Sequence, residues 1–148
     1  MRLMKQRPTF SPVRRKLLFV LLLLAAPVTA WAELPPYVYK ERQQKAPESL
    51  VIRVRSVKTR ETDEPRRVRV DVEVEARVER VVRSKTGLRV GDAIRISYVH
   101  SRHKEPIAGP SEVPILKEGE KYPAYLSRDG REKKYIPAAG GFSFRKVE

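Results

Sequence analysis

From Val68 to Val82 the chain reads VRVDVEVEARVERVV, with Val68, Val70, Val72, Val74, Ala76 and Val78 on even positions and Arg69, Asp71, Glu73, Glu75, Arg77 and Glu79 on odd ones. A helix would spread those valines around its circumference, where a side chain branched at Cβ loses rotamer freedom. Strict alternation instead places every valine on one face of a strand. Fifteen residues at roughly 3.3 Å each reach about 50 Å, well beyond a usual strand, so the pattern predicts a strand that coils and serves two sets of neighbours. The alternation fails near Val81 and Val82, which predicts a bulge or bend there.

The rest of the chain follows the same period. Leu50, Ile52 and Val54 alternate with Arg53 and Arg55, and Ile94, Ile96 and Tyr98 share one side of Ala93–Val99, so both segments read as half-buried strands. Lys121–Leu126 is a short strand whose Pro123 favours an edge. Asp129-Gly130 marks a hairpin turn and Gly140-Gly141 a bend before Phe142 and Phe144. Between the strands, His100–Glu120 carries Pro106, Pro110 and Pro114 and is expected to be irregular. Only Tyr39–Lys45, between Pro36 and Pro47, suggests a helix. Five or six strands and no long helix predict an all-β fold, most simply a small closed barrel.

The amino-terminal segment has a different pattern. Six basic residues precede the apolar run LLFVLLLLAA from Leu17 to Ala26, and Ala30-Trp31-Ala32 supplies small residues around a cleavage point before Glu33. Those are the three regions of a secretory signal peptide, and ten apolar residues fall short of the roughly 20 that span a bilayer. The expected organisation is a signal peptide over 1–32, a polar lead-in over 33–49 and the β domain over 50–148.

Composition then changes the picture through charge. The whole chain carries +14, but removing residues 1–32, which hold six of its 32 basic and none of its 18 acidic side chains, leaves 116 residues at about +8. Much of the argument for a nucleic-acid partner leaves with that segment, and export separates the protein from cellular nucleic acid. The sequence contains no cysteine, so a domain bound for a disulfide-permissive compartment must hold by packing alone.

Candidate chemistry is sparse. His100 and His103 are the only histidines, with Glu105 nearby, and two imidazoles in a Pro-rich loop make a poor metal site. No nucleophile with an oriented base can be read from spacing, so no catalytic residue, metal ligand or cofactor is assigned. The uncharged stretch Pro137–Phe142 reads first as a tight bend. Its second reading is an apolar docking edge that joins Gly140, Gly141 and Phe142 to His100, His103, Ile107, Val113 and Ile115.

The long alternating strand, the GLRVGDAIRI segment, GPSEVPILKEGEKYPAYL and the final YIPAAGGFSF resemble, in that order, the small secreted OB-fold barrels of the netrin-module and tissue-inhibitor-of-metalloproteinase type. The resemblance implies a five- to six-stranded OB-like barrel with an extracytoplasmic binding role. It does not carry over protease inhibition, because those inhibitors use an amino-terminal cysteine and this chain has none. The expected function is that of an exported, non-enzymatic binding module for a protein or envelope component. The alternatives are a periplasmic enzyme using His100 or His103, or a binder of single-stranded nucleic acid or another polyanion.

Overall fold

The computed structural model describes residues 33–130 and 134–148; the expected signal segment, with Ala30 and Ala32, lies outside them. Helix α1 (Pro36–Lys45) is followed by strands β1 (Glu48–Asp63), β2 (Arg67–Ser84), β3 (Ala93–His103), β4 (Lys121–Arg128) and β5 (Lys134–Pro137), and then by a 3-10 turn at Gly140–Phe142. The five strands form one sheet in the order β1-β2-β3-β5-β4, and because β4 also pairs with β1 the ladder closes into a ring. All neighbours are antiparallel except β3 and β5.

Strand β2 has 18 residues, and it pairs with β1 along its length and with β3 from Arg67 to Arg77. Its even-numbered residues from Val70 to Val78 are buried, as are Leu50, Ile52 and Val54 from β1 and Ile94 and Ile96 from β3. Leu116, Ala124, Leu126, Tyr135 and Phe144 complete this core. The alternation thus decides which face points inward, and hydrophobic burial drives the closure.

Three register shifts bend the β1–β2 ladder, leaving Arg55 of β1 and Glu79 and Val82 of β2 as extra residues. The expected irregularity near Val82 is therefore one of two bulges on β2. The other, at Glu79, turns Glu79 and Arg80 outward in succession and returns Val81 to pack against the core. Pro123 does not make β4 an edge strand. The N–H of Tyr125 points away from β1, to the Ser143 carbonyl at 2.9 Å. Two residues earlier the missing N–H of Pro123 faces the same side, where β5 pairing has not begun.

The lead-in is an integral part of the domain. Tyr39 is 1% exposed and its ring lies 4.4 Å from that of Phe142. The Gln43 side-chain amide donates to the carbonyls of Phe142 at 2.8 Å and Arg145 at 2.7 Å. With no glycine to end α1, Arg83 reaches across from β2 and donates to the Ala46 and Gln43 carbonyls at 2.7–3.1 Å.

Candidate functional site

Of the residues singled out from the sequence, all but Ile107 and Ile115 are drawn into structural contacts. Residues 104–120 are irregular, yet the segment is fastened to β3. His100 Nδ1 lies 2.8 Å from the Val113 carbonyl, and the Tyr98 hydroxyl donates to the Pro114 carbonyl at 2.8 Å. The Ser101 N–H donates to the Glu112 carboxylate at 3.3 Å, and His103 Nε2 stands 3.6 Å from that carboxylate. Both histidines therefore serve the edge of β3. Among the described residues no group of three or more His, Asp or Glu is placed to hold a metal ion.

The glycine pair takes the other end of the same segment. A Cβ on Gly141 would lie 2.4 Å from the Ser111 carbonyl oxygen, so only a glycine lets the 3-10 turn meet the loop backbone. Gly140 has φ +54, which explains the second glycine. Phe142 is held between Tyr39 and the Arg145 guanidinium, 3.9 Å from its ring centre. Val113 packs on the core, Ile107 and Ile115 remain exposed, and Glu33 accepts a hydrogen bond from the Ser111 hydroxyl.

Concave surface lies elsewhere, as two neighbouring hollows along the outer face of β1, β2 and β3. One end, of about 600 Å³, is lined by Arg55, Glu75, Arg77, Arg95 and Lys134 over a floor that includes Ala76 and Ile94. The next end along the same strands, about 590 Å³, is lined by Lys58, Arg60, Asp71, Glu73, Val99, Asp129 and Ile136, among others. Outward residues two apart on each strand build both ends, and register decides what each side chain faces.

In the second end, Lys58 stands opposite Glu73 and Arg60 opposite Asp71. In the first end the register opposes Arg95 to Lys134, and at its border it opposes Arg53 to Arg77. Glu79 relieves Arg53 by bonding its guanidinium and the Lys121 ammonium, both at 2.5 Å. Lys121 and then Arg53 hold the Glu79 carboxyl below its usual range. Arg77 Nε donates to the Gly91 carbonyl at 3.2 Å, which fixes the stem while its terminal nitrogens bond to no described residue. Glu75 faces Arg95 in register, but its carboxylate takes the Ser56 hydroxyl at 3.5 Å and pairs with no described cation. Arg55, the extra residue of a bulge, is aimed into the same end.

The single strand suggested only a row of mixed sign. The convergence of Arg55, Arg77, Arg95 and Lys134 needs four segments in register, and the one local signal was the Arg53–Arg55 spacing on the polar face of β1. In comparisons with known proteins, no family model, curated protein or solved structure matches the chain.

Proposed function

We propose that the protein is an exported, non-enzymatic binding module, an OB-like barrel that engages an anionic protein or envelope component through the outer face of β1, β2 and β3. The closed order β1-β2-β3-β5-β4 with a parallel β3–β5 pair supports the OB-like reading, because OB barrels are five-stranded Greek-key barrels; kinship with the netrin-module type rests on the sequence segments alone. In such barrels the face of the second and third strands is the binding surface, and here that face carries the groove.

The observation that carries the reading is the placement of like charges. Opposed cations across a ladder destabilise a sheet; here Arg95 opposes Lys134 in the basic end and Arg53 opposes Arg77 at its border, while the other end opposes cations to acids. A local conflict without structural gain marks a place where binding compensates. Segment 1–32 supports export through its basic, apolar and small-residue regions.

The test compares immobilised protein with a double Arg77→Glu, Arg95→Glu variant in retaining material from an envelope extract. Salt-sensitive retention by the unaltered protein that disappears in the variant is expected. Equal retention by both, or by neither, would refute the reading.

A further inference from the structure

We infer that the basic end of the groove is a site for a doubly charged phosphoryl group, a phosphomonoester or pyrophosphate, carried on a glycan or a lipid headgroup; the inference rests on the binding-module reading. Four cations, Arg55, Arg77, Arg95 and Lys134, converge there against one acid, Glu75. One carboxylate would answer a single cation. A phosphomonoester brings about −1.5 to −2 charges and three acceptor oxygens in the space of one group.

The geometry suits that ligand. Guanidinium forks bind phosphoryl oxygens in pairs, and the Lys134 ammonium adds a point charge at the rim. Arg77 is already positioned by the Gly91 carbonyl, so part of its ordering cost is met before the ligand arrives. Ala76 and Ile94 turn their side chains into the core and Ala93 has only a methyl group, so the floor brings no competing acceptor side chain. A volume of about 600 Å³ lies within the range of small-ligand sites, 300–1,000 Å³. Beyond it, the acids Asp71, Glu73 and Asp129 repel an extended polyanion, so the positive end is a local pocket rather than a continuous track.

The Arg95–Lys134 opposition gives the site a signature that a structural pair would lack. Removing either charge relieves repulsion in the free protein and removes a ligand contact in the bound one. Titration calorimetry with inorganic pyrophosphate at low salt should show one site per chain. Arg95→Gln and Lys134→Gln should each weaken it about tenfold or more, and both variants should melt no lower than the unaltered protein. Lys58→Gln and Arg60→Gln, on the same face in the neighbouring end, should stay within about twofold.

Absence of pyrophosphate binding, equal weakening by the two sets of variants, or a lowered melting temperature in the first set would overturn the site. So would tighter binding of single-stranded oligothymidylate than of pyrophosphate at equal phosphate concentration, since each diester carries one charge. Sedimentation with vesicles containing phosphatidic acid, set against phosphatidylcholine alone, separates the sources. Binding to the former assigns the phosphoryl group to a headgroup, and pyrophosphate binding without vesicle binding assigns it to a soluble or glycan carrier. Capture of an envelope component that survives Arg95→Gln and Lys134→Gln would refute this site and leave the binding-module reading standing.

Discussion

Replacing Gly141 with alanine tests how the irregular segment is fastened. Gly141 is buried and its φ is not left-handed, so the cost of Gly141→Ala is steric rather than conformational. The new Cβ would meet the Ser111 carbonyl oxygen at 2.4 Å and the carbonyl carbon and Cβ of Ser111 at 2.7 Å. None of these atoms can rotate away, and ordinary van der Waals separation of about 3.5 Å requires the backbone to retreat by about 1 Å. That movement pulls on the bonds from His100 to Val113 and from Tyr98 to Pro114, and on buried Leu116. Overpacking of this kind costs about 1–3 kcal/mol. With a urea dependence of roughly 1–3 kcal/mol per molar for a small domain, the unfolding midpoint followed by circular dichroism should fall by about 1 M. Adding Ser111→Gly removes one close contact and leaves both backbone contacts, so it should not restore the midpoint. A midpoint for Gly141→Ala within about 0.2 M of the unaltered protein, or full rescue by Ser111→Gly, would refute the reasoning.

Three further outcomes follow from the same structure. Arg83→Met removes the donors to Gln43 and Ala46; thermal unfolding should show a loss of about 1.5–3 kcal/mol, with Arg83→Lys intermediate. Burial pushes the Tyr98 phenol up to about 12, against the opposing bond from the Leu116 backbone. Alkaline difference absorbance should show a late tyrosinate step that Tyr98→Phe abolishes. Because the folded pKa is raised, the Tyr98 contribution to stability is full below its ordinary pKa of about 10 and is lost as pH rises through about 12. Cleavage after Ala32 removes Trp31, the only tryptophan, so processed protein should emit as tyrosine alone; a tryptophan band would refute that cleavage point.

What could be read from the chain was whatever depends on neighbours in sequence. Period-two alternation identified the inward faces of β1, β2 and β3, because side chains on a strand point to opposite faces regardless of which strand lies alongside. Pairing is a separate matter. Whether Pro123 marks an edge depends on where β5 begins, and whether Arg77 stands opposite Arg53 or Val54 depends on the bulge at Arg55, which shifts register by one residue. The histidines stood out because they are the two imidazoles of the chain. Their contact with the carbonyl and carboxylate of Val113 and Glu112 could not be seen without the path of the loop. Tyr39 and Gln43 looked like members of a polar lead-in, since their partners lie about a hundred residues away.

That separation also sets an order of events. Helix α1 has ten residues and no side-chain cap at its start, and a helix of that length is marginal in water without packing. Its anchors are the Phe142 ring and the carbonyls of residues 142 and 145, 99 and 102 positions later than Gln43. At ribosomal speeds of about 5–20 residues per second, the segment after the expected cleavage point waits some 5–20 s for the residues that hold it. During that interval residues 36–45 lack the partners they pack on, so the helix becomes stable only when the last turn of the chain has been made.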